Sequence, residues 1–404
     1  MDNVVTRQVL WTISVRILLI FAGFISSIIT ARALGPEGRG IFFYWTTLAA
    51  IAIQFGNLGL HSSNTYYLAK GKAKLSTLAA NSLWVSLIAG IFLCGVLVCI
   101  VWYRENNLED VLPFLIPTLI IVPTGLYFLL GSNLLIALDR IGEFNCFELA
   151  NRYIGLGILL LAVWIWHTPQ SLIIAIALSS VLMCVPLFKR VNVLGGTGSP
   201  SLRILFEGFW YALRAYLASI FGFLVLRLNV VMLEEFADTT VLGVWSIAAQ
   251  LLDLIFVIPS AIALVLLPKL MRTNNPYRMM ISHLLLVLVL LLCGCFIIVL
   301  FGQYFIESIY GVEFKGAYNM LLWAIPCVIS MGMISIISQY LAVKGIPILL
   351  IWVWTLGFLF ELVIAFWLVP QSGGIGAMIS LSASYLLVLI GLAAIVKWVP
   401  NIID

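Results

Sequence analysis

Twelve apolar runs, each about twenty residues long and joined by connections of no more than about fifteen, occupy nearly the whole chain. A helix of that length crosses the ~30 Å hydrocarbon core of a bilayer, and little polypeptide is left over to build anything else. Of the 404 residues, 63% are hydrophobic and 9% charged, and the mean hydropathy is +1.15. That leaves too little polar side chain to cover a water-soluble globule of this size. Backbone amides left unpaired in hydrocarbon are costly, so the runs must be helices and the fold class is an all-α integral membrane protein.

Breaks in hydropathy place the first six spans at 8–31, 40–60, 78–103, 112–136, 145–166 and 170–188, and the second six at 206–233, 241–267, 279–302, 317–340, 346–369 and 373–396. Alternate connections differ in charge. One set, which includes both termini, carries Arg7, Lys70, Lys72, Lys74, Arg140, Lys189, Arg190, Arg203, Lys269, Arg272, Arg278, Lys344 and Lys397. The other carries only Arg32, Arg39, Arg104 and Lys315, with Glu105, Glu109, Asp110, Glu234, Glu235, Asp238 and Glu313. The positive-inside rule then puts both termini in the cytoplasm, and the formal +4 charge records this topology, not an affinity for nucleic acid. Ala31-Arg32-Ala33 superficially fits a signal cleavage site, but the first run is too long for a signal core and has Arg16 in its middle, so a retained helix is expected. All seven cysteines lie in or beside spans, where free thiols pack as small hydrophobes.

Residues 189–203, KRVNVLGGTGSPSLR, are the most linker-like stretch and fall near the midpoint. The expected division is an N-terminal six-helix lobe (1–190), a cytoplasmic linker (191–202) and a C-terminal six-helix lobe (203–404). A shift of about 200 residues superposes Phe21 on Phe221, Trp45 on Trp245 and Ala49 on Ala249. Six helices per lobe is an even number, so the lobes insert in the same orientation, as parallel repeats that can enclose a cavity. The short connections leave no room for a catalytic domain, and there is no H-E-x-x-H, P-loop or zinc-spaced cysteine pair. No enzymatic activity and no cofactor or metal are expected.

An ionised side chain at a helix centre costs about 2.5–3.5 kcal/mol on insertion scales and must face protein or water. Arg16 lies roughly 12 Å into span 1, too deep for comfortable snorkelling; a polar cavity or a helix partner would explain it. Span 7 carries Arg214 and Arg227, on different faces, and Glu361 in span 11 is a candidate partner for Arg227 at similar depth. Arg152 follows Glu148 at i+4, the favourable order for a local ion pair. Asp253, in the middle of span 8, suits either proton coupling or a pair with Arg16 or another cavity arginine. The end of span 2 gathers Gln54, Asn57, His61, Ser62, Ser63 and Asn64, a surface suited to sugar hydroxyls or to close helix packing.

The stretch Ala31-Arg32-Ala33-Leu34-Gly35-Pro36-Glu37-Gly38-Arg39-Gly40 resembles the A-R-x-L-G-P-E-G-x-G segment of O-antigen and exopolysaccharide flippases, and the likeness extends to length, span number and linker. That family belongs to the superfamily of the multidrug and toxin extruders. The resemblance implies a V-shaped, two-lobe transporter in the bacterial inner membrane that moves a polyprenyl-diphosphate-linked oligosaccharide by alternating access, as a monomer, in concert with a polysaccharide polymerase and glycosyltransferases. It also implies that Arg16, Arg214 and Arg227 engage the diphosphate, with Gln54, Asn57 and His61 facing the glycan. A cation-coupled antiporter of small amphipathic molecules and a peptidoglycan-precursor flippase are the alternatives. A non-transporting scaffold is a third.

Overall fold

The computed structural model of the protein describes residues 2–104, 108–196, 198–345 and 348–398, with the side chains of 2–10, 13, 69, 210–212, 214–215, 218, 264, 348 and 398 excepted. The described residues form α1 (Asp2–Asn57), α2 (Leu60–Ala69), α3 (Leu75–Arg104), α4 (Leu108–Ala137), α5 (Ile141–Ile165), α6 (Pro169–Gly195), α7 (Leu202–Phe236), α8 (Thr239–Arg272), α9 (Pro276–Ile309), α10 (Gly316–Trp323), α11 (Ile325–Val343) and α12 (Ile348–Trp398), with a 3-10 turn at Val312–Phe314. No strand is present among them. The all-α expectation holds, and the chain is a multi-pass membrane protein.

The elements do not map one to one onto the expected spans. Spans 1 and 2 share α1, and spans 11 and 12 share α12. In α1 the direction changes at one residue, Gly35 (φ 65°, ψ −177°), a conformation that a side chain would strain, and Pro36 opens the next helical segment. The motif therefore sits at a sharp helical corner and not in a loop. In α12 the corner is Gly373. Span 2 ends at Asn57 and resumes as α2 after left-handed Leu58 and Gly59, while span 10 is cut at Ala324 into α10 and α11, with Pro326 in the first turn of α11, where no intrahelical partner is lost.

The helices group into two compact units, residues 1–34 with 42–220 and residues 35–41 with 221–404. Unit 1 packs around Leu78, Tyr127, Leu134, Leu135 and Leu187. At one end Arg190 grips Glu143 with two 2.8 Å hydrogen bonds, a fork geometry that ties α6 to α5. The segment entering α7 is fastened to α3: Ser201 N–H donates to Asn81 Oδ1 (2.7 Å) and Asn81 Nδ2 donates to the Ser201 carbonyl (3.1 Å).

Unit 2 takes in the motif corner. Arg39 is 3% exposed and donates from Nε to Ser246 Oγ and from Nη2 to Gln250 Oε1, both at 3.1 Å, on α8. The backbones meet closely here: a Cβ on Gly40 would fall 2.0 Å from the Thr239 carbonyl oxygen, and one on Gly243 would fall 1.8 Å from that of Pro36. Arg39, read from sequence as an external loop charge, is thus a buried strut, because the chain at 35–41 is packed into unit 2.

Burial runs opposite to that of a water-soluble protein. Glu361, Asn229, Ser246, Ser380 and Ser384 are fully buried, while Ile91, Phe92, Phe296 and Val363 stand outward. Lipid is the solvent for those apolar faces. Trp102 and Tyr103 at the end of α3, and Trp164 and Trp166 at the end of α5, are exposed at the positions an interfacial aromatic belt occupies.

The close approach at residue 243 sets a stability test. Gly243→Ala should lower thermal stability in detergent by about 1–3 kcal/mol, the usual cost of overpacking, because the obstructing atom is backbone. Gly95→Ala, which meets nothing within 4 Å, is the control and should leave the melting temperature unchanged or raise it slightly. Equal melting curves for the two variants would contradict the corner packing.

Candidate functional site

Each unit encloses its own polar constellation. In unit 1, α5 is fixed against α1 by Asn145 Nδ2 donating to Thr12 Oγ1 (3.1 Å) and by Tyr153 Oη donating to the Leu18 carbonyl (3.2 Å). Between these bonds lie Arg16 on α1 and Glu148 and Arg152 on α5. Glu148 is half-buried and lies within electrostatic reach of both guanidiniums. The local Glu148–Arg152 pair expected from spacing does not close: among the described residues no carboxylate oxygen comes within 4.0 Å of Arg152. One carboxylate is shared by two cations, leaving the cluster a net positive charge.

In unit 2, the fully buried Glu361 of α12 accepts a 2.6 Å hydrogen bond at Oε1 from Asn229 Nδ2 of α7, and Asn229 Oδ1 accepts one of 3.0 Å from Ser380 Oγ. Glu361 Oε2 is buried and has no hydrogen-bond partner among the described residues. The expected Arg227–Glu361 pair does not form among the described residues; the side chain of α7 that reaches this carboxylate is Asn229, two residues further along. The carboxylate within electrostatic reach of Arg227 is instead Asp253 on α8. Arg227 lies with Cζ 5.8 Å from the Phe223 ring centroid and has a buried Nε with no partner among the described residues. Asp253 is exposed although it sits near the middle of α8.

The polar end of span 2 divides by role. Asn57 is 1% exposed and spends its amide on His61, meeting ring Nδ1 at 2.8–3.0 Å. Gln54 and His61 are partly exposed, and the Gln54 carbonyl accepts a 2.9 Å bond from Tyr216 Oη. Ser63 and Asn64 are buried in helix packing, with Asn64 Nδ2 donating to Ser82 Oγ at 3.0 Å. The Arg214 side chain lies outside the described residues.

Sequence reasoning missed Asn229 and Ser380, and assigned Arg152 to a pair it does not make. A tally of every polar side chain within a span would have flagged Asn229, only two residues after Arg227, and Ser380, Ser382 and Ser384 in span 12.

The Asn229–Glu361 bond separates volume from charge. Glu361→Gln keeps an acceptor for Asn229 and should melt within about 0.5 kcal/mol of the wild type, whereas Glu361→Ala strands a buried amide and should lose about 1–3 kcal/mol. Equal losses in both variants on thermal unfolding would show that the carboxylate charge itself holds the fold.

The fold recurs in solved transporters. A structure of the lipid II flippase MurJ in an inward closed conformation matches with a TM-score of 0.68 at 16% identity, over 94% of this chain and 87% of that one. An inward-facing multidrug resistance MATE family transporter of the MOP superfamily matches at 0.70 and 14% identity, over 95% and 94%. The MATE transporter VcmN of Vibrio cholerae, in its bent form, matches at 0.60 and 14% identity, over 97% and 98%. At such identities the likeness is one of fold. No curated protein matches the chain in sequence. The model of one sequence family, described as polysaccharide biosynthesis protein, matches residues 5–274, about two thirds of the chain, and the protein belongs to that family.

Proposed function

We propose that the protein is a flippase that carries a polyprenyl-diphosphate-linked oligosaccharide, an O-antigen or exopolysaccharide repeat unit, across the bacterial inner membrane by alternating access. The observation that carries this reading is the state of the membrane arginines: Arg16 shares a single carboxylate with Arg152, and Arg227 has a buried nitrogen without a partner among the described residues. Cations held at membrane depth without full neutralisation suit a substrate that brings negative charge, and a guanidinium matches phosphate oxygens with planar, charge-assisted hydrogen bonds.

In this reading residues 1–190 and 203–404 act as two lobes joined by the 191–202 linker, and both termini face the cytoplasm. Arg16 and Arg227, with Arg214, engage the diphosphate; Gln54 and His61 offer neutral hydrogen bonds to the glycan, and Asn57 orients His61. The polyprenyl chain stays in lipid, which spares the protein from enclosing it. Asp253 or Glu361 takes up the coupling cation: a proton or sodium ion on either would offset a carboxylate that is costly to leave charged at that depth. No bond of the substrate is made or broken. The monomer suffices, and it works beside the glycosyltransferases that build the repeat and the polymerase that extends it.

The test is transbilayer movement of a labelled lipid-linked oligosaccharide in reconstituted vesicles. Each charge-assisted hydrogen bond to phosphate contributes about 1.5–3 kcal/mol, so Arg16→Ala and Arg227→Ala should each slow movement by about ten- to a hundredfold. Wild-type rates in both variants would remove the anion clamp. Efflux of a cationic dye without lipid movement would favour the antiporter, and movement of a peptidoglycan precursor alone would favour that flippase.

A further inference from the structure

Arg152 is not spent on Glu148, and its guanidinium borders a cavity of about 290 Å3 inside unit 1, walled by α1, α4, α5 and α6. A volume at the small end of ligand pockets, about 300–1,000 Å3, admits a compact head and excludes an oligosaccharide. Gly23 of α1 leaves the guanidinium its place: a Cβ there would lie 2.6 Å from Arg152 Nη2 and would push the flexible side chain aside.

The two α6 serines of the wall, Ser179 and Ser180, have their protons committed. Ser179 Oγ donates to the Ile176 carbonyl at 2.9 Å. Thr124 Oγ1 donates to the Ile120 carbonyl at 2.7 Å, so the 2.6 Å bond between Thr124 and Ser180 uses the Ser180 proton. What remains uncommitted among the described residues is the Arg152 guanidinium, which only donates, with the Asn151 amide and the Ser26 hydroxyl, which can each donate to an anion. No carboxylate lines the cavity, and the nearby Glu148 is shared with Arg16. A guanidinium with further donor-capable groups in the lining and no acidic side chain favours an anion with several acceptor oxygens.

Depth narrows the source. Arg152 lies eleven residues into α5, about 16 Å along its axis at ~1.5 Å per residue, near the middle of a ~30 Å core. The phosphates of phospholipids resting in either leaflet do not reach that level. A phosphoryl group that does is one passing between leaflets.

We infer that the cavity beside Arg152 is a diphosphate site within unit 1, an intermediate station for the headgroup of a prenyl-diphosphate lipid. The inference rests on the flippase reading, and its test is a binding measurement that needs no transport.

Purified protein in detergent is titrated with farnesyl diphosphate and, separately, with phosphatidylglycerol, and bound lipid is counted by native mass spectrometry. Arg152→Gln should carry one bound farnesyl diphosphate fewer than the wild type at equal concentration. Arg152→Lys, which keeps the charge without the fork, should show an intermediate occupancy and covers the case in which the glutamine variant does not fold. Phosphatidylglycerol binding should be the same in all three. Unchanged farnesyl diphosphate occupancy in both variants overturns the site, as does a loss confined to phosphatidylglycerol. Arg152-dependent binding in a protein that moves no lipid-linked oligosaccharide would sink the flippase reading and leave the site standing; intact movement with Arg152-independent binding would do the reverse.

Discussion

Hydrocarbon solvates neither a charge nor an unpaired amide, and most of this structure is a response to that fact. The backbone answers by keeping its turns short: α1 and α12 each change direction at a single glycine, with helix on both sides. The side chains answer by inversion, with isoleucine and phenylalanine outward and a glutamate at 0% exposure. Charges that remain at depth are either consumed by structure, as Arg39 is by Ser246 and Gln250, or held with less neutralisation than they require. Arg16, Arg152 and Arg227 are of the second kind, and this distinction separates scaffold from candidate site.

The two constellations differ in chemistry. Unit 1 offers guanidiniums with one carboxylate between them, an electropositive cluster suited to an anion. Unit 2 keeps its two carboxylates apart: Asp253 is in electrostatic reach of Arg227, and Glu361 is tied to Asn229 with its second oxygen unpaired among the described residues. The unpaired oxygen of Glu361, away from any guanidinium hydrogen bond, is the place in unit 2 where a cation would relieve a buried charge. Under the proposed flippase reading, an anion site and a cation site would have to be coupled, with occupancy of one biasing the other.

How much of this was legible depended on range. Periodicity and hydropathy act within a span, and they marked the helices and the membrane class. The motif at 31–40 marked the family, but its glycines and proline read as a loop, because nothing local says that Gly35 alone turns the chain and that Gly40 and Gly243 face backbone across a gap of some two hundred residues. Side-chain partners were the least legible. Spacing put Arg152 with Glu148, yet the guanidinium rests against Gly23 at the cavity; depth put Arg227 with Glu361, yet it is Asn229 that hydrogen-bonds the carboxylate. Helical spacing reports neighbours on one helix, whereas pairing between helices depends on rotation about their axes, which a single sequence does not encode in any local pattern.

The central claim is that polar side chains at mid-membrane depth border wet space enclosed by protein. In a variant whose seven cysteines are replaced, single cysteines at Arg152, Asp253 and the outward-facing Ile91 can be exposed in vesicles to a membrane-impermeant, charged thiol reagent. Water-lined positions keep a thiolate population and admit the reagent, while a thiol in lipid does neither. The account predicts labelling at 152 and 253 and none at 91. Equal protection of all three would contradict it.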